Sequence, residues 1–175
     1  MENQKPSVKK IASNYGFILG LFSILVLVLV YVLNLEQDWK ISVLSLVGSI
    51  LIFAAALKAY RKANEGFLSL GEAIKVGLAT AAIGGVIAAI YAYVHYAYVN
   101  PEYMVMVLEK AQTSVLEQNP DMPQEQLDMA MSMTEKFSSP FMMATFSLIG
   151  SLFFGFIISL IGGLILQNKR PEGSM

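Results

Sequence analysis

The chain has 175 residues, of which 55% are hydrophobic and 14% are charged, and it contains no cysteine. Since soluble domains usually carry about a quarter charged residues, this composition is atypical of a soluble protein. The net charge of −1 provides no basic field for nucleic acid, and the lack of cysteine excludes disulfides, thiolate catalysis and cysteine-ligated metals.

Four long segments of the chain contain no Asp, Glu, Lys or Arg, apart from Lys58 near the end of the second. A transmembrane α-helix needs roughly 20 predominantly apolar residues to cross about 30 Å of hydrocarbon. The second segment is the shortest, but the aliphatic stem of Lys58 can run along the bilayer and raise its ammonium group to the headgroups. The sequence therefore predicts an all-α membrane protein, one domain with four transmembrane helices, over residues 11–35, 41–60, 76–99 and 140–166.

The positive charges are distributed unevenly between the two sides of these spans. Nine of the twelve lie on the side of the N-terminus, and these are Lys5, Lys9, Lys10, Lys58, Arg61, Lys62, Lys75, Lys169 and Arg170. Cytoplasmic loops of membrane proteins carry an excess of Lys and Arg. We therefore expect the N-terminus, the C-terminus and the link over residues 61–75 to be cytoplasmic, and the loop over residues 100–139 to be external.

Predicted helix 1 carries Gly16 and Gly20, which lie one turn apart on the same face. Small residues let two transmembrane helices approach closely, and helix association in lipid depends on such packing. We interpret the pair as a helix-packing surface, with contact to a partner as the alternative.

The link between helices 2 and 3 carries signals for the end of one helix and the start of the next. Gly66 is a predicted stop for helix 2, because glycine tolerates the left-handed conformation that follows many helices. Ser69 followed by Glu72 is a capping box, which predicts the start of helix 3. Arg61 and Lys62 stand where helix 2 leaves the membrane, and we regard them as candidate contacts for a partner or a lipid headgroup.

The outer end of predicted helix 3 is rich in aromatic residues. Tyr91, His95 and Tyr98 are spaced to share one face of an α-helix. An interfacial tyrosine belt is the simpler explanation, and a headgroup or small-ligand site around His95 is the alternative. A single histidine is a poor metal site, since zinc normally takes three or four protein ligands.

The external loop predicts a helical hairpin. It holds seven acidic residues and two lysines. Pro101 can begin one helix that extends to about Gln118, and Pro123 can begin a second that extends to about Phe137, because proline is favoured in the first turn of a helix.

The second of these helices is amphipathic. Leu127 and Met131 form its apolar stripe, with Phe137 on the adjacent edge and Met129 and Met133 flanking it. One interpretation is a hairpin that lies on the bilayer or folds over the bundle. The other is an external partner surface formed by Met129, Met131 and Met133, since methionine is flexible and polarizable.

Predicted helix 4 carries a small residue at every fourth position. The row is Ser147, Ser151, Gly155, Ser159 and Gly163, and helix 3 has a similar row in Gly77, Ala81, Gly85 and Ala89. Such rows indicate close helix contacts, either within the bundle or with a second copy or another membrane protein.

The segment over residues 59–77 contains Tyr60-Arg61-Lys62 followed by GFLSLGEAIKVG at positions 66–77. This segment resembles the family called domain of unknown function 4199, and the four spans and the acidic loop after Asn100-Pro101 are similar to that family as well. The resemblance implies a multi-pass protein of the inner membrane of Gram-negative bacteria. It implies no activity and no functional residues.

No Asp, Glu, Lys or Arg lies in the middle of a predicted span, whereas proton-coupled transporters usually need such a group. No hydrolase or zinc-protease motif is present in the sequence, so we predict no enzyme, cofactor or metal. We expect an accessory subunit or assembly factor of a larger inner-membrane complex, which contacts lipids and a membrane-protein partner or a second copy. The alternative is a small oligomeric transporter or pore-forming protein.

Overall fold

The structure is a computed structural model that describes residues 6–35 and 38–170. Six α-helices follow one another in this part of the chain, and they are α1 (Val8–Val32), α2 (Trp39–Ala63), α3 (Leu70–Val94), α4 (Glu102–Gln118), α5 (Gln124–Phe137) and α6 (Pro140–Leu166). A short π-helical segment, His95–Val99, follows α3 directly. No β-strand occurs in the described ranges, and the prediction of an all-α fold is confirmed.

Four of these helices are long and apolar enough to cross a membrane. They are α1 and α2 with 25 residues each, α3 with its π-helical segment at 30 residues, and α6 at 27 residues. At 1.5 Å per residue, even 25 residues exceed the roughly 30 Å of a hydrocarbon core. The prediction of four transmembrane helices is therefore confirmed, and α2 extends beyond its predicted end to Ala63.

The chain divides into two compact units. One comprises Met1–Ala88 with Leu148–Met175, and the other comprises Ala89–Ser147. The first unit therefore contains α1, α2, most of α3 and most of α6. The second contains α4 and α5, which pack against each other, so the predicted helical hairpin is confirmed.

The core of the first unit is assembled by side chains from several helices. Leu19 of α1, Phe53 of α2 and Ala81 of α3 form one buried cluster, against which Leu152 and Ile158 of α6 pack. A second cluster includes Leu57, Tyr60 and Leu68, with Val8 and Ile11 of α1 packed against it. Exposed phenylalanines such as Phe17 and Phe153 lie on the outside of these helices, as lipid-facing residues do.

The end of α2 differs by one position from the prediction. Helix α2 ends at Ala63, and Glu65 takes the left-handed conformation with φ 55°. Gly66 follows with φ 87°, and its amide donates to the carbonyl of Arg61 at 2.8 Å. This bond is the longer one of a Schellman turn, so Gly66 is the second residue after the cap and Glu65 occupies the position predicted for Gly66.

The start of α3 follows the prediction. The Ser69 amide donates to Glu72 Oε2 at 2.9 Å, and the Glu72 amide donates to Ser69 Oγ at 3.3 Å. These reciprocal bonds are the capping box that the sequence predicts.

Candidate functional sites

The small residues of α6 face those of α3 in antiparallel register. Each step of four residues forward along α3 corresponds to a step of four residues backward along α6. The facing pairs are Ala73 and Gly163, Gly77 and Ser159, Ala81 and Gly155, and Gly85 and Ser151. A Cβ atom added to Gly155 would lie 2.5 Å from the Cβ of Ala81, and one added to Gly163 would lie 2.8 Å from that of Ala73. The two backbones therefore approach as closely as small residues permit.

Polar groups support this interface from within. Ser151 Oγ donates a hydrogen bond to the carbonyl of Ala81 at 3.0 Å, and this bond joins α6 to α3. Ser159 is fully buried and donates to the carbonyl of Gly155 one turn earlier in its own helix. Ser147, the first residue of the row, is half-buried and belongs to the other compact unit.

The glycines of α1 also lie against α3. A Cβ atom on Gly16 would lie 2.8 Å from the Cβ of Ile83, and one on Gly20 would lie 2.7 Å from that of Ile87. A step of four residues forward along α1, from Gly16 to Gly20, corresponds to a step of four residues forward along α3, from Ile83 to Ile87, so the two helices are parallel. Helix α3 thus contacts α1 through one face and α6 through another, and these small-residue faces are occupied within the chain.

One end of the first unit is strongly basic. It contains the start of α1, the end of α2, the link with the start of α3, and the end of α6. Its eight described cations are Lys9, Lys10, Lys58, Arg61, Lys62, Lys75, Lys169 and Arg170, and we call this set the basic end. Its acidic residues in the described ranges are Glu65 and Glu72. Lys5 lies outside the described residues.

Both of those acids are engaged locally. Glu65 forms an ion pair with Arg170 at 2.9 Å, and Arg170 also lies over the ring of Phe67 at 5.0 Å. Glu72 accepts the hydrogen bonds of the capping box, and the hydroxyl of Tyr60 donates to its other oxygen at 3.5 Å. The positive charge of the basic end is therefore offset only in part by its own acids.

The link at the basic end is held by the segment that follows α6. Leu68 and Asn168 exchange two backbone hydrogen bonds of 2.9 Å each. The carbonyl of Gly66 accepts from Asn168 Nδ2 at 3.1 Å and from Arg61 Nε at 2.9 Å. Sequence reasoning missed this contact, because a short pairing between residues a hundred positions apart leaves no local pattern.

The α4–α5 hairpin exposes an apolar stripe on α5. Met129, Met133 and Phe137 recur every four residues, and their exposed fractions are 69%, 61% and 53%. Leu127 is buried, and Met131 is half-buried. We call Met129, Met133 and Phe137 the α5 stripe.

The three methionines singled out from the sequence therefore do not form one surface. Met131 is two residues from each of the others, which places it about 200° around the helix from Met129. The α5 stripe instead joins Met129 and Met133 with Phe137, and the predicted stripe of Leu127 and Met131 belongs to the covered side.

The predicted aromatic face at the end of α3 is also only partly formed. The rings of Tyr91 and His95 lie 5.8 Å apart, and His95 meets Tyr96 edge to face at 5.2 Å. Tyr98 is 74% exposed, whereas His95 is buried, so they do not share a face. The cause is the π-helical segment, in which the Asn100 amide donates to the carbonyl of His95 and the turn takes in an extra residue.

The four apolar helices and their lipid-facing exteriors define a multi-pass membrane protein. A model of the family described as Protein of unknown function (DUF4199) matches residues 14–168, and the chain belongs to this family. No curated protein and no solved structure matches the chain.

Proposed function

We propose that the protein is a non-enzymatic accessory subunit or assembly factor of a complex in the bacterial inner membrane, and that it binds a partner protein through the α5 stripe. The observation that carries this proposal is the exposure of Met129, Met133 and Phe137 in a row on a hairpin between two membrane spans. Contiguous exposed apolar surface of this kind is typical of interaction sites.

The charge of the hairpin favours a protein over the bilayer surface as the occupant of the stripe. The hairpin segment over residues 100–139 holds seven acids and two lysines. Helices that lie on membranes usually carry Lys and Arg on their polar face, because these residues are attracted to anionic lipids. An acidic hairpin is repelled by such lipids, so a complementary partner would present an apolar patch flanked by basic residues.

The orientation of the chain is part of the proposal. Eight described cations lie at the basic end, and Lys40, Lys110 and Lys136 are the other described cations. By the positive-inside rule, the basic end with both termini is cytoplasmic and the α4–α5 hairpin is external. The partner would then be met outside the cytoplasm, by the membrane-proximal hairpin.

Site-specific photo-crosslinking in intact cells tests the proposal. A photoreactive amino acid replaces Met133 on the stripe, and the matched control replaces Glu135, which is exposed on another side of the same helix. We expect a covalent adduct with one distinct protein at position 133 and none at position 135. Lipid adducts or no adduct at position 133 would overturn the proposal, and an adduct with a second copy of the chain would favour the oligomeric transporter or pore.

A further inference from the structure

We propose that the basic end binds the headgroup of an anionic phospholipid, with Lys58, Arg61 and Lys62 at the end of α2 and Lys9 and Lys10 at the start of α1 as its contacts. This inference does not depend on the partner proposed for the hairpin.

The two helix ends meet in the structure. Val8 and Ile11 of α1 pack against the buried cluster that includes Leu57 and Tyr60 of α2. Lys9 and Lys10 lie between Val8 and Ile11, in the same first turn, and both are exposed. The cations of α1 and α2 therefore stand at helix ends that pack on the same buried cluster.

The three α2 cations lie at the depth in the membrane where lipid headgroups are found. Lys58 and Lys62 are one turn apart, about 6 Å along the helix, and both are exposed. Lys58 stands at the edge of the apolar segment and Lys62 stands beyond it, so a phosphate at the hydrocarbon boundary can be approached from both. Clusters of Lys and Arg next to a span are typical of anionic lipid recognition.

Arg61 is oriented by the turn that follows its helix. Its Nε donates to the carbonyl of Gly66 at 2.9 Å, which fixes the plane of the guanidinium. The bond uses one of five N–H groups, and the four on the terminal nitrogens are suited to bidentate contact with a phosphate.

The helix dipoles stabilise only some of these cations. Arg61 and Lys62 lie in the last turn of α2, where a positive charge is favourable. Lys9 and Lys10 lie in the first turn of α1, which contains no acid, and a helix N-terminus disfavours positive charge. Among the described residues, Glu65 and Glu72 are the acids of the basic end and both have the partners given above, so in this proposal an external anion supplies the counter-charge for these lysines.

The test compares two triple variants of the full-length chain in neutral detergent. The first variant combines Lys58→Gln, Arg61→Gln and Lys62→Gln. The matched control combines Lys40→Gln, Lys110→Gln and Lys136→Gln, and it loses the same charge outside the basic end. Short-chain phosphatidylglycerol is titrated, and the rise in unfolding temperature gives the affinity. Each lysine or arginine near a membrane surface contributes about fivefold, so we expect the first variant to bind on the order of 100-fold more weakly and the control to bind like wild type.

Equal binding of phosphatidylglycerol by the two variants would overturn the inference. So would stabilisation of the wild type by phosphatidylcholine to the same extent as by phosphatidylglycerol. Equal stabilisation by inorganic phosphate would also overturn it, because it would indicate a simple anion site. If the first variant does not fold, the exposed pair Lys9→Gln and Lys10→Gln replaces it. Loss of that pair is expected to weaken phosphatidylglycerol binding about 25-fold, and unchanged binding would reject the site.

Discussion

Gly155 of α6 lies so close to Ala81 of α3 that a Cβ atom on Gly155 would be 2.5 Å from the Cβ of Ala81 and 3.0 Å from the ring of Phe53. Three of the four spans therefore meet at one glycine. Because lipid tails are as apolar as the helices, this close packing replaces the hydrophobic effect that would hold a soluble bundle together.

Replacing Gly155 with leucine is expected to destabilise the first unit by about 3 kcal/mol, since overpacking a tight interior forces side chains and backbone apart. Gly150→Leu is the matched control, because Gly150 lies on the same helix and has no neighbouring atom within 4 Å of an added Cβ. Thermal unfolding in detergent measures the difference. Equal unfolding temperatures for the two variants would mean that the small-residue row does not make the contact described.

Much of this packing could be predicted from the sequence. The four-residue period of Ser151, Gly155, Ser159 and Gly163 indicates a close contact, and the uncharged segments locate the four spans. The identity of the contacting helix could not be predicted, because a small-residue row fits α3, a second copy and another protein equally well. The sequence also shows a small-residue row on α3, but only the structure shows that this row faces the row of α6.

The features that the sequence did not predict depend on contacts between distant segments or on a single irregular turn. The pairing of Leu68 with Asn168 joins the link to the residues after α6. The π-helical segment after α3 shifts Tyr98 away from His95, although an unbroken α-helix would keep them together. The exposure of Met129 and Met133 depends on which side of α5 is covered, and this helix carries apolar residues on both sides.

The capping box at the start of α3 predicts a coupled pair of substitutions. Ser69→Ala removes the acceptor of the Glu72 amide, and Glu72→Ala removes the acceptor of the Ser69 amide, so each is expected to cost about 1 kcal/mol of unfolding free energy. The double variant is expected to cost less than the sum, because both substitutions remove the bond from Ser69 Oγ to Glu72 Oε2 and the double variant loses it only once. Unfolding free energies of the four proteins measure the coupling, and strict additivity would show that the two residues act independently.

The α5 stripe predicts that two methionine substitutions separate binding from folding. Met129→Ser with Met133→Ser removes exposed side chains, so the hairpin is expected to fold and insert as in wild type. Each side chain that a partner buries contributes on the order of 1 kcal/mol or more, so crosslinking and co-purification of the partner should fall about tenfold or more.

Met131→Ser is the matched control for this prediction, since Met131 is half-buried on the covered side. It is expected to lower the stability of the hairpin and to leave partner recovery per folded molecule unchanged. Undiminished recovery with the double variant would exclude the stripe as the partner surface.

Orientation in the membrane is the claim on which the proposed external partner surface depends, and cysteine labelling tests it most directly. The natural chain has no cysteine, so single replacements at the exposed, uncharged positions Ala63, Ser114 and Gln167 leave the charge distribution unchanged. In intact spheroplasts, an impermeant maleimide is expected to label position 114 of the hairpin. Positions 63 and 167 at the basic end should be labelled only after the membrane is opened. Labelling of position 63 or 167 from outside, or protection of position 114, would contradict the account.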